Sequence, residues 1–178
     1  MLAYSSISHA GYLAIGLAAG NHEAVAGVIF YLAAYTFMNL GAFGIISLLE
    51  GKDETNLDIS SYAGLGNRKP LLAGLLAVLM FALAGLPPFG GFFGKYYIFI
   101  AAVKSHLTWL AILGVLSSAI SVYFYLRIVV LMYFKPSEND FAIETNNNAM
   151  IAIVFSVLLV ILLGIFPGTL IDLVTKFI

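Results

Sequence analysis

From Pro70 to Val103 the chain runs for 34 apolar, aromatic or small residues with one charged side chain among them, Lys95. As a single α-helix, at ~1.5 Å per residue, this stretch would be about 51 Å long. The hydrocarbon core of a bilayer is only ~30 Å thick. Midway stands Gly85-Leu86-Pro87-Pro88-Phe89-Gly90-Gly91-Phe92-Phe93-Gly94. An interior proline removes a backbone donor and clashes with the preceding turn. The stretch therefore predicts a broken transmembrane helix, with half-helices near Leu71–Gly85 and Phe89–Val103. Transporters build ion sites at such breaks. An ionisable group at bilayer depth is expensive, and it marks an ion pathway, a proton relay or a counter-ion. Together these features imply a membrane subunit that moves charge.

Composition agrees with a membrane chain. Of 178 residues, 62% are hydrophobic and 10% charged, and mean hydropathy is +1.02. Soluble domains carry ~25% charged residues. The net charge of -1 offers no basic face to nucleic acid. With no cysteine there is no disulfide, iron–sulfur cluster or thiolate metal site. His9, His22 and His106 fall in different segments and make no local metal or haem motif. Redox chemistry, if any, belongs largely to partners. No basic n-region precedes the first apolar run, which carries Tyr4, Ser5, Ser6, Ser8 and His9, so it does not read as a signal peptide.

Membrane helices need about 20 mostly apolar residues. Five spans are expected, over Leu2–Ala19, Ala24–Leu49, the broken Pro70–Val103, Leu107–Phe134 and Ala149–Val174, forming one transmembrane domain across residues 1–178. Glu50–Lys69 and Lys135–Asn148 read as solvated loops with room for a short surface helix. Lys52, Arg68, Lys69, Arg127 and Lys135 fall on one side of the membrane, and only Lys104 and Lys176 on the other. The positive-inside rule then puts the N-terminus in the cytoplasm and the C-terminus outside. Every acidic residue lies in an expected loop or near a helix end, so Lys95 has no obvious carboxylate partner in the chain.

Each polar feature has a structural alternative. Lys95 could snorkel to the interface, but Lys104, which marks the helix end, is nine residues away, about 13 Å of helix, beyond comfortable reach of a lysine stem. Gly90 and Gly94 form a GxxxG pair that permits close helix packing; with Gly91 they can also free the backbone for a half-helix end beside Lys95. Gly94-Lys95 is not a P-loop ending, since Phe89 and Tyr96 stand where Gly and Ser or Thr are required. Three polar stripes follow from i, i+3 and i+4 spacing: Ser5, His9 and Tyr12; Tyr31, Tyr35 and Asn39; Ser117, Ser121 and Tyr125. They read either as interhelical hydrogen bonds or as the lining of a wet channel around the lysine. His9 is a second relay candidate, because the unperturbed pKa of histidine lies near ~6.5; a satisfied bundle histidine is the competing reading. Arg127, beside Tyr123 and Tyr125, fits the positive-inside rule and an aromatic belt.

These residues also carry a family resemblance. Met-Leu-Ala-Tyr-Ser-Ser-Ile-Ser-His-Ala-Gly-Tyr at Met1–Tyr12 resembles a signature of the antiporter-like subunits of respiratory complex I. Tyr31–Phe43, with Tyr35 and Asn39 where sister subunits and cation/proton antiporters tend to carry histidine or lysine, resembles the subunit N branch. Leu83–Tyr97 is similar to the family's broken helix with its central lysine, and Ser117–Tyr133 to the helix that follows. The resemblance implies about fourteen helices in two inverted repeats, of which this chain corresponds to the tenth to the fourteenth, apparently truncated at its N-terminus. It implies that Lys95 is the terminal proton relay of the second half-channel. The charged residues of the first repeat have no counterpart here. The other membrane-arm subunits would be partners, and NADH, FMN, iron–sulfur clusters and quinone would sit on partner subunits, with no cofactor in this chain. Multisubunit cation/proton antiporters, energy-converting membrane hydrogenases and a purely structural role are the alternatives.

Overall fold

A computed structural model describes residues 1–50, 58–136 and 147–177. Among them the chain is helical throughout, with no strand: α1 (Leu2–Ala19), α2 (His22–Glu50), a 3-10 turn (Ile59–Tyr62), α3 (Leu65–Arg68), α4 (Pro70–Ala84), α5 (Gly90–Lys104), α6 (Thr108–Phe134), α7 (Asn147–Ile165) and α8 (Pro167–Thr175). By length and composition, α2, α6 and α7 can cross a membrane, while α4 is apolar but shorter. α1, which carries Ser5, Ser6, Ser8 and His9, is not among these helices.

Local chemistry sets the boundaries. Gly20, left-handed at φ 64°, closes α1, and Asn21 then caps α2, its Oδ1 accepting the Ala24 N–H at 2.7 Å. Glu23 lies in the first turn of α2 and pairs with Lys104 at 2.6 Å in an exposed ion pair. Pro70 opens α4 at its first turn, where the missing N–H costs nothing. Gly85 at φ 82° closes it. After the break the chain resumes as α5 at Gly90, so the expected half-helices are present to within a residue at each end. The Pro87–Pro88 bond is cis.

α2 is the central post, packed against α1, α4, α5, α7 and α8. One apolar core fills the space among α2, α4, α6 and α7, around Met38, Leu72, Leu79, Met80 and Val160. A smaller one joins α1, α2, α5 and α6 around Tyr12, Val28, Tyr31 and Ile98. Gly91 rides on the end of α4: a Cβ there would run into the Ala82 carbonyl. Gly164 of α7 lies as close to the Pro88–Phe89 backbone. The break is thus wedged between its own first half and α7. α6 leaves Ile112, Leu116, Ile120 and Phe124 exposed along one side.

Two expectations are corrected. The last span does not continue to Val174. It stops at Ile165, because proline disfavours helical backbone in the residue before it, and Pro167 instead opens the separate α8. The described end of the Glu50–Lys69 segment is not a solvated loop: Leu65 is fully buried, the Gly64 N–H donates to Leu131 O of α6, and Arg68 Nη2 donates to the Ser61 and Ala63 carbonyls. Residues 51–57 of that segment, and 137–146 of the one read as a loop at Lys135–Asn148, lie outside the described residues.

Candidate functional site

The last four carbonyls of any α-helix lack an intrahelical donor. At the end of α4 each one can be traced. Gly85 N–H donates to Ala82 O at 3.0 Å and Leu86 N–H to Phe81 O at 3.1 Å, the paired bonds of a Schellman ending. The other two, Leu83 O and Ala84 O, accept from Lys95 Nζ at 3.1 and 3.2 Å. Lys95 sits one turn into α5, 5% exposed, and reaches back across the break to finish the half-helix it follows. Its third bond goes to Ser118 Oγ of α6 at 2.9 Å. An ammonium has three N–H donors, and here three acceptors meet them. The face of Tyr12 lies 5.0 Å from Nζ, within cation–π range. No ion pair to Lys95 is present among the described residues. Gly85 leaves room for this arrangement, since a Cβ there would lie 2.9 Å from Nζ.

Beyond Tyr12 lies a second polar centre. His9, 1% exposed, hydrogen-bonds through Nδ1 to the Tyr31 hydroxyl and through Nε2 to the Tyr125 hydroxyl at 3.0 Å. Tyr125 also bonds Ser5 Oγ at 2.6 Å. Tyr35 stacks on the imidazole with ring centres 4.5 Å apart, and Tyr12 meets it edge-on at 5.7 Å. The hydroxyls of Tyr12 and Tyr35 are buried with no hydrogen-bond partner among the described residues. The chain Ser5–Tyr125–His9–Tyr31 can be satisfied in two opposite directions, one for each neutral imidazole tautomer, because each hydroxyl both donates and accepts. Moving a proton through the imidazole switches one direction to the other.

The three stripes therefore converge on His9 rather than on Lys95. Ser5, His9, Tyr12, Tyr31, Tyr35 and Tyr125 form one cluster. Ser117 and Ser121 line an open groove of about 630 Å³ between α1 and α6, together with Ser5, His9 and Tyr125. Ser121 Oγ is committed to its own helix, donating to Ser118 O at 2.7 Å. Asn39 is half-buried one turn beyond Tyr35 and stands outside the hydrogen-bonded set. Lys95 opens instead onto a second groove of about 640 Å³ between α5 and α6, lined by Gly85, Phe99, Ala111 and Ser118. Of the break residues, Gly90 and Gly91 are buried, with Gly90 against Leu163 and Val160 of α7, and Gly94 packs on Tyr31. Pro87 and Pro88 are exposed. Sequence reasoning missed Ser118 and the two carbonyls. The available signal was the Ser117-Ser118 pair on the helix after the lysine, of which only one member fell on the chosen stripe.

A family model described as NADH:quinone oxidoreductase/Mrp antiporter, transmembrane, matches residues 1–121, which include α1, α2, the break and Lys95. The chain belongs to this family. Within the NADH:quinone oxidoreductase/Mrp antiporter family it is 55% identical over 141 residues to NADH-quinone oxidoreductase subunit N of Trichlorobacter lovleyi, covering 79% of this chain and 29% of that protein. It is 48% identical over 172 residues to subunit N 1 of Chloroherpeton thalassium, covering 97% of this chain and 36% of that one. Among solved structures it resembles a chain of respiratory complex I from Thermus thermophilus with bound aureothin, with a TM-score of 0.82 and 33% identity over 96% of this chain and 38% of that one. The chain thus spans about a third of the length of these relatives.

Proposed function

We propose that this chain is part of a proton-translocating membrane-arm subunit of an NADH:quinone oxidoreductase, and that Lys95 exchanges a proton with a water-filled path through it. The observation that carries this reading is the lysine itself. It is buried at a helix break, it is held by backbone carbonyls and a hydroxyl in place of a carboxylate, and it opens onto a groove. Such a group can release and regain a proton without dissolving an ion pair. The His9–tyrosine chain, separated from Lys95 by the Tyr12 ring, supplies a second element that can pass a proton along.

In this reading the domain crosses the membrane five times, counting the broken helix once and including α1. It lies in a bacterial inner membrane with its N-terminus cytoplasmic and its C-terminus outside. The other membrane-arm subunits are its partners. NADH oxidation and quinone reduction belong to partner subunits that hold FMN and iron–sulfur clusters. This chain has no cysteine and, among the described residues, no group of three His, Asp or Glu that could hold a metal. The matched family also includes Mrp antiporters; the relatives named subunit N favour the oxidoreductase.

The test is Lys95→Ala in the assembled complex, with proton-to-electron stoichiometry measured in membrane vesicles. Loss of pumping, or of coupled turnover, is expected. Wild-type stoichiometry and rate would remove the assignment. Sodium-dependent proton exchange without NADH would move it to the antiporters.

A further inference from the structure

We propose that Ser118 is the positioning residue that holds Lys95 in place in both protonation states, accepting a hydrogen bond from the ammonium and donating one to the neutral amine. The proposal rests on the proton-exchange reading above. In the charged state the three N–H groups meet Leu83 O, Ala84 O and Ser118 Oγ, at 3.1, 3.2 and 2.9 Å. When the proton leaves, one N–H bond breaks. Its electron pair stays on nitrogen as a lone pair, and the proton passes to water in the groove between α5 and α6. The amine then has two donors and one acceptor. Backbone carbonyls only accept, so Leu83 O and Ala84 O can match the two remaining N–H groups but never the lone pair. Of the three partners, only the Ser118 hydroxyl can turn around and donate.

Ser118 is free to do so. Hydroxyls within helices commonly bond back to a carbonyl in the preceding turn, as Ser6 does to Leu2 O, Thr36 to Leu32 O, Ser121 to Ser118 O and Ser156 to Ala152 O. Ser118 Oγ instead accepts from Lys95, and its O–H donates to no acceptor among the described residues. It also lines the groove onto which Lys95 opens, so its rotation meets no packed neighbour on that side. Tyr12 cannot substitute, because it offers the ammonium its ring face.

Ser118→Thr and Ser118→Val separate the hydroxyl from its volume, since the two side chains have nearly the same shape. Each is placed in the full-length subunit of the assembled oxidoreductase, assembly is checked on a native gel, and pumping driven by NADH is measured in vesicles beside Lys95→Ala. The threonine variant is expected within about twofold of wild type. The valine variant is expected to fall roughly tenfold, the scale of one hydrogen bond to a charged group. Equal pumping by the two, with Lys95→Ala inactive, overturns the role of Ser118 and leaves the relay reading standing. Wild-type pumping by Lys95→Ala overturns the relay reading itself. Should the valine variant fail to assemble, Ser118→Ala, which only deletes an atom, takes its place. Failure of both where threonine assembles assigns Ser118 to folding and overturns the proposal.

Discussion

Lys95→Arg separates two jobs that wild-type Lys95 performs at once. The first is to donate to Leu83 O and Ala84 O. The second, in the proposed function, is to give up a proton. A guanidinium has five donors in a planar fork and can serve both carbonyls, but it stays protonated in proteins, with a pKa above ~12. Reaching the neutral form at pH 7 would cost about 7 kcal/mol, from ~1.36 kcal/mol for each of about five pH units. An ordinary lysine faces about 4.6 kcal/mol of the same cost, so any step that requires the neutral side chain is slowed about 10²-fold relative to lysine. Fitting the larger head group into the buried site costs about 1–3 kcal/mol, softened by the open groove beside Nζ. Lys95→Met is the complement. It fills similar space and carries no charge, but it leaves two carbonyls in a buried place without their donor, at about 1–3 kcal/mol each. The expected pattern is that the arginine variant assembles and does not pump, whereas the methionine variant assembles poorly. Native-gel yield and the proton-to-electron ratio in vesicles read the two effects independently. Wild-type stoichiometry in the arginine variant would refute proton release at this position and leave Lys95 as a helix cap.

Three further outcomes follow from the packing. Gly94→Ala drives a methyl into the Tyr31 ring; the collision outweighs the ~1 kcal/mol gain in helix propensity, so assembled complex should decrease and melt earlier in a thermal shift of the solubilised enzyme. Tyr125→Phe removes one oxygen that bonds both Ser5 and His9, leaving a buried imidazole nitrogen unpaired at about 1–3 kcal/mol; coupled turnover should fall while Tyr123→Phe, on an exposed ring, leaves it unchanged. Glu23→Gln breaks the exposed pair with Lys104 and should alter thermal stability by less than about 1 kcal/mol, a result checked in the same thermal-shift assay.

Much of the broken helix could be read from residues alone. Pro87-Pro88 forbids a continuous helix and Gly85 supplies the left-handed closure, so both half-helix ends lie within a residue of expectation. Lys95 stood out because charge is costly at that depth. What the lysine touches was not legible. Residues 117 and 118 differ by about 100° around α6, and which of them faces α5 depends on how the two helices cross. Spacing alone groups Ser117 with Ser121 and Tyr125, and that face looks toward α1. The two carbonyl partners are invisible to any search over side chains. The end of α7 was legible and overlooked: hydrophobicity continues through Ile165, Phe166 and Leu170, but Pro167 carries the stop signal. In the 58–69 segment, polar composition concealed a packed turn because its burial is confined to three consecutive residues, Ala63, Gly64 and Leu65.

The ending of α4 has an electrostatic consequence. Aligned peptide dipoles leave roughly half a negative charge at the C-terminal end of a helix, and here that end points at the lysine ammonium through Leu83 O and Ala84 O. A carboxylate in the same place would attract the cation more strongly, but it is itself a base and could capture the proton that lysine releases. Peptide carbonyls do not titrate in the physiological range. The backbone thus supplies a fixed fractional countercharge that cannot compete for the cargo, and the negative field remains in place for the next proton to arrive.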